Sequence, residues 1–197
     1  MAPTDFLSKY APAAVDSMKA TGIPASVTLA QTILESGWGR FAWGNNFWGI
    51  KADKAWTGEK QLLETTEKLR FSTIESYKLA TGCVFPEVIS IEPISNQPGF
   101  YLWVVKDYFR AYATPSEGFT DHANFFKVNG RYKQALLDEG DAVKFAQDIS
   151  HAGYSSTPNY GDSLVKIMTE FNLMQYDKNK PVVAEANQQP VPETPKN

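Results

Sequence analysis

The 197-residue chain has a single cysteine, Cys83, so no disulfide can close within it and no cysteine-based zinc site can assemble. A lone cysteine of this kind is expected to be a small buried hydrophobe. Histidine is almost as scarce: His122 and His151 stand far apart without metal-ligand spacing. Both are read as solvated or hydrogen-bonded core residues, and no metal or other cofactor is expected. Runs of Lys or Arg are missing and the net charge is −3, which leaves no basic face to neutralise a phosphate backbone and argues against nucleic acid. No apolar segment is long enough to span a bilayer, so no membrane partner is expected. The opening MAPTDFLSKYAPAAVDSMKATG lacks a basic region followed by an apolar one, so no signal peptide is expected and delivery outside the cytoplasm would need another export route or lysis. What is abundant is apolar mass: 43% hydrophobic and 13% aromatic residues suffice for the core of one domain.

The segment PASVTLAQTILES reads as a helix opened by Pro24 and stopped by Gly37, with Val27, Ala30, Ile33 and Leu34 at helical spacing. Glu35 falls in its last turn. Residues 5–20 are also helical by composition, with Pro12 expected to divide or bend them. From about Trp43 to Tyr112 glycines, aromatics and alternating stretches such as EVISI and FYLWVV, broken by Pro86, Pro93 and Pro98, predict short strands and turns. Helix returns at Thr114-Pro115-Ser116-Glu117, a capping box ahead of Phe119, Ala123 and Phe126 on one face. Asp141 caps a further helix, and Tyr160, Leu164, Ile167, Met168 and Phe171 form the apolar stripe of a last one. Residues 177–197 are polar, proline-rich and without period, the composition of a disordered tail or linker. The pattern predicts an α+β domain over 1–176: a mainly helical lobe, a small β-rich lobe at about 43–112, and a cleft between them.

A carboxylate in the last turn of a helix faces the negative end of the macrodipole, which disfavours its charged form. Trp38, Phe41, Trp43, Phe47 and Trp48 follow closely and are expected to add desolvation in the same direction. A carboxylic acid kept protonated near neutral pH suits a leaving oxygen that needs a proton. Taken on this segment alone, a solvated glutamate at a frayed helix end is the favoured account of Glu35, although a local rule broken without obvious compensation points toward function.

The ordered set AQTILESGWGR, GNNFWGIKA, W-x-G, FRAY with its capped helix, NGRY and AGYSSTPNYGDSL resembles the catalytic domain of glycoside hydrolase family 73. These are N-acetylglucosaminidases of the lysozyme-like superfamily, among them flagellar-rod peptidoglycan hydrolases, and the resemblance spans about Asp5 to Phe171. It implies a lysozyme-like fold and Glu35 as the catalytic acid. It also implies a second carboxylate in the β-lobe, at Glu67 with Glu64 as the rival, that positions water across the cleft. A charged residue on an exposed strand accounts for Glu67 nearly as well, and for Glu59 better. The family's functional tyrosine, usually in Y-A-T-D-P-x-Y, matches YSSTPNY, where Tyr160 and Tyr154 both qualify. Ser156 and Thr157 depart from the pattern, and core packing competes as Tyr160's role.

Aromatic rings suit the apolar faces of sugars, so Trp38, Phe47, Trp48 and Trp56 are candidate groove residues, some of them necessarily core. Asn46 is a candidate for substrate contact, although turning the chain suits Asn45 and Asn46 better. The stretch from about Leu69 to Asp107 is longer than in compact family members and is read as an insertion that shapes the groove or docks a partner. The resulting expectation is a monomeric endo-β-N-acetylglucosaminidase that cuts the β-1,4 bond between N-acetylglucosamine and N-acetylmuramic acid in bacterial peptidoglycan. A lytic transglycosylase, a phage lysin and a non-catalytic wall-binding module remain open. The missing signal and the insertion favour an exported, type VI-like toxin acting in the periplasm, whose producer would need an immunity protein that blocks the cleft.

Overall fold

In a computed structural model of the chain, which describes residues 1–179, Pro24 sits one residue ahead of its helix as the cap. Helix α2 runs Ala25–Ser36 and ends at Gly37, whose φ of 55° is the left-handed conformation that stops a helix with little strain. Before it, α1 (Pro3–Thr21) is one uninterrupted helix. Pro12 does not divide it, because Pro12 and Ser8, whose carbonyl loses its partner, both lie on the exposed face where water can take over.

The β-rich region holds β1 (Lys60–Leu69), β2 (Glu87–Pro93) and β3 (Tyr101–Arg110), antiparallel in the order β1-β3-β2. Between β1 and β2 lies α3 (Ile74–Thr81), a helix that the turn-rich composition did not announce. Tyr77 of α3 and Phe85 pack against Trp103 of β3, and the Trp103 indole donates to the Phe71 carbonyl. The stretch expected as an insertion supplies most of the central strand and an apolar cluster of its own. Cys83 lies just past α3, outside that cluster, and is exposed rather than buried.

The helical lobe continues with α4 (Pro115–Val128), the short α5 (Lys133–Leu137), α6 (Ala142–His151) and α7 (Tyr160–Glu170). Thr114 accepts from the Glu117 amide as predicted, while the Glu117 carboxylate reaches one residue further back, to the Ala113 amide. Phe119, Ala123 and Phe126 of α4 join Phe6 and Met18 of α1, Leu29 of α2 and Leu164 of α7 in one fully buried core. The helices and the small three-stranded antiparallel sheet conform to the α+β expectation.

A 3-10 helix at Leu173–Asn179 closes the described chain. Ordered structure thus passes the expected boundary at 177, and the rest of the expected tail, residues 180–197, lies outside the described residues. Asp177 has a definite task. Pro24 offers no side-chain cap to α2, and Asp177 provides one instead: it accepts from the Ser26 amide at 2.9 Å and the Ser26 hydroxyl at 2.6 Å. A carboxylate at a helix N-terminus is favoured by both hydrogen bonding and the macrodipole. Asp177→Ala should cost about 1 kcal/mol and lower the thermal midpoint by about 2–4 °C; an unchanged melting curve would deny Asp177 this role.

Candidate active site

Helix α2 ends at a trough of about 410 Å³ lined by Glu35, Trp48, Ile50, Lys51, His122, Phe125, Tyr154 and Ser155. The Glu35 carboxyl is exposed at this trough, and the Tyr160 hydroxyl donates to its Oε1 at 2.9 Å. Tyr160, 2% exposed at the first turn of α7, receives in turn a hydrogen bond from the Gln31 amide at 3.1 Å. Burial first of all, with Tyr154 and Glu35 nearby, pushes the Tyr160 hydroxyl far above its ordinary range, so it is a permanent donor. Two backbone features place it. Asn159 takes a φ of 58°, and Gly161 lets α7 approach α6 so closely that a Cβ there would lie 2.7 Å from the Gln147 Oε1.

Tyr154 stacks on Tyr160 with centroids 5.3 Å apart, and its hydroxyl meets the His122 Nε2 at 3.1 Å. Burial, followed by the charge of Glu35, raises its phenol as well. His122 lies flat on Trp48, 4.0 Å between centroids, and is 1% exposed. Its Nδ1 has no partner among the described residues, which differs from a satisfied core histidine. Burial lowers its pKa to about 3 from an ordinary 6.5, so the ring is neutral when folded. Because the unfolded chain binds that proton more readily, His122 contributes nothing adverse above pH 6.5 and costs stability progressively as pH falls from 6.5 toward 3. Urea unfolding should show a loss from this residue of about 2 kcal/mol by pH 5. His122→Phe, which keeps the stack on Trp48, should flatten that part of the profile, and an identical slope in both proteins would count against it.

The aromatic surroundings expected for Glu35 are only partly present. After two left-handed residues, Gly37 and Trp38, the chain folds back, so the Trp38 ring packs edge-on against Phe6 and Phe171 instead of facing the trough. Phe47 is 2% exposed, wedged between Tyr10 and Phe119 in the core, where no substrate can touch it. Phe41 and Trp43, each 61% exposed, border a separate shallow hollow. Only Trp48 of the five lines the trough. Asn46 is a fastener: its amide donates to the Ile50 and Arg110 carbonyls and its Oδ1 accepts from the Ile50 amide, so both of its amide hydrogens are spent on the backbone. Trp56 borders another hollow, about 540 Å³, beside Tyr112 and Asp121, with the Arg110 guanidinium 4.3 Å above its ring and its indole donating to the Glu59 carbonyl. That hollow is larger, and its Asp121 accepts from the Tyr112 phenol at 2.7 Å, but the Arg110 guanidinium also takes both Asp121 oxygens, at 3.0 and 2.8 Å, so this carboxylate is tied up in an ion pair and the chemistry points to the smaller trough.

Glu67 lies on β1, paired with Trp103 of β3 and facing the same side of the sheet. Its carboxylate takes the Lys51 ammonium at 2.6 Å, and the same ammonium meets Asp107 at 2.9 Å. Burial pulls the Lys51 pKa down, but the hydrogen bonds and charges of Asp107 and Glu67 outweigh it and leave it above the ordinary value. Lys51 also lines the trough of Glu35, so it is the side chain that links the two carboxylate regions. Glu64, on the opposite face of β1, borders the hollow of Phe41 and Trp43. The structure thus gathers Glu35, Trp48, Tyr154 and Tyr160, sets Glu67 behind Lys51, and sends Trp38, Asn46, Phe47 and Trp56 elsewhere. Residues the sequence reading passed over are Gln31, Lys51, Asp107 and His122. Gln31 was within reach, one turn before Glu35 on the same helix face, and Lys51 stands within GNNFWGIKA; nothing marked Asp107. Among the described residues no three His, Cys, Asp or Glu side chains cluster to hold a metal, and no helix is long and apolar enough to cross a membrane.

The family model described as mannosyl-glycoprotein endo-beta-N-acetylglucosaminidase matches residues 11–173. The peptidoglycan hydrolase FlgJ of Vibrio parahaemolyticus is 29% identical over 87% of the chain and 48% of its own length. The exo-glucosaminidase LytG of Bacillus subtilis is 28% identical over 79% of the chain and 47% of its own length. The chain therefore spans about half the length of these curated relatives. The glycoside hydrolase domain of Salmonella typhimurium FlgJ superposes with a TM-score of 0.64 at 25% identity, covering 89% of this chain and 91% of that domain.

Proposed function

The chain belongs to the glucosaminidase family of glycoside hydrolases, and from that premise we propose that it hydrolyses the glycan strand of peptidoglycan, with Glu35 as the general acid. The observation that carries this is the Glu35 carboxyl at the mouth of a trough, one of its oxygens bound by a buried phenol. That phenol can neither lose its proton nor move away, so it steadies the carboxylate formed when the acid gives up its hydrogen. Trp48, stacked on His122, offers an apolar ring to a pyranose face.

The bond cut is the β-1,4 linkage on the reducing side of N-acetylglucosamine, within the strand. The family description supports an internal cut, and the FlgJ relatives name peptidoglycan as their own substrate. Glu67 acts as the general base: its carboxylate pairs with Lys51, which itself lines the trough, and a carboxylate can deprotonate a water approaching the far face of the sugar. The test is digestion of purified peptidoglycan followed by end-group and size analysis of the fragments. Hydrolysis at this bond leaves reducing N-acetylglucosamine ends on fragments of mixed length. Anhydro-muramic ends would establish a lytic transglycosylase instead, release of single terminal sugars an exo-acting enzyme, and binding without new ends a wall-binding module.

A further inference from the structure

Resting on the reading of Glu35 as the acid, we propose that Gln31 is a positioning residue that dictates which oxygen of Glu35 carries the transferable proton. Gln31 is fully buried on α2, four residues before Glu35. Its Nε2 donates to the Tyr160 oxygen, and the Tyr160 hydroxyl donates to Glu35 Oε1. Its own Oε1 has no partner among the described residues. An apolar side chain of the same shape would avoid that stranded oxygen, so packing alone does not account for glutamine here.

The direction of the chain is fixed by what each group can do. A phenol has one hydrogen, and an ionised carboxylate only accepts. If the Gln31 amide were turned so that its oxygen faced Tyr160, the phenolic hydrogen would be drawn toward Gln31. Lone pairs of Tyr160 would then confront those of ionised Glu35. With the amide as found, the hydrogen must lie toward Oε1. Oε1 is thereby committed as an acceptor, and Oε2 is left to hold the proton and pass it to the glycosidic oxygen. Donation by Gln31 also polarises the phenol and strengthens its bond to the carboxylate that forms on proton transfer. Gln31 touches no substrate and acts solely through Tyr160.

The experiment measures kcat, KM and thermal midpoint on soluble peptide-free glycan strands. The proteins compared are wild type, Gln31→Met, Tyr160→Phe, the double variant and Glu35→Gln. Gln31→Met should lower kcat about tenfold with KM and melting unchanged. Tyr160→Phe should lower it about a hundredfold, and adding Gln31→Met to it should cost nothing more, since the second residue works only through the first. Gln31→Glu adds a pH signature. It retains activity in acid, where its protonated carboxyl can still donate to Tyr160, and loses it as that carboxyl ionises and pulls the phenolic hydrogen back. Wild-type kcat in Gln31→Met, or fully additive losses in the double variant, with Glu35→Gln inactive, overturns the role of Gln31 alone. An active Glu35→Gln overturns the reading of the acid itself. Should Gln31→Met not fold, the acid-to-neutral profile of Gln31→Glu decides: a profile parallel to wild type overturns the proposal.

Discussion

Glu35→Gln should abolish nearly all turnover while leaving the fold intact. The amide has the shape of the carboxyl, and its oxygen can still accept from Tyr160. What it cannot do is surrender a proton to a departing sugar oxygen. Loss of a general acid costs about 10²–10⁴-fold in rate, and the loss should appear in kcat because Glu35, exposed at the trough, holds no buried scaffold together. Melting and circular dichroism should match wild type. A variant that digests peptidoglycan at an ordinary rate would remove the foundation of the mechanism.

The second large effect belongs to the β-lobe. Glu67→Gln should lower kcat by about 10²-fold or more, as expected when the group that activates water is removed. Folding should be little affected, because the Lys51 pair is partly exposed and Lys51 keeps Asp107. A small anion such as azide should restore turnover, since it attacks without needing a base, and its product would have the sugar's configuration inverted if Glu67 serves water on the opposite face. Asp107→Asn is the companion measurement. If it silences the enzyme while Glu67→Gln stays active, the base is Asp107 and Glu67 merely balances charge on Lys51.

The sequence was most informative where local chemistry decides. The caps at Thr114 and Asp141, the left-handed stop at Gly37 and the buried stripe from Tyr160 to Met168 all depend on neighbours within a few turns, and all are found. Glu35 could be singled out because its motif is contiguous. Aromatic residues were harder to sort. Trp38 and Trp48 stand ten positions apart in one glycine-rich stretch, yet one packs into the core and the other lines the trough. That partition is set by two residues of positive φ and by where α1 happens to pass, neither of which composition reveals. The same holds in part for α3, an eight-residue helix whose Tyr77 packs on the ring of Trp103 far along the chain. The Lys51, Glu67 and Asp107 set is a product of strand register, which no single stretch encodes.

Helix α2 is fastened at its start by Asp177 and at its end by Tyr160, both from the last portion of the described chain. During synthesis the ribosome releases Glu35 well over a hundred residues before either fastening exists. A chain stopped short of Tyr160 carries Glu35 but not the phenol that binds it. Helix α2 can therefore be held at both ends only once translation has run past position 177.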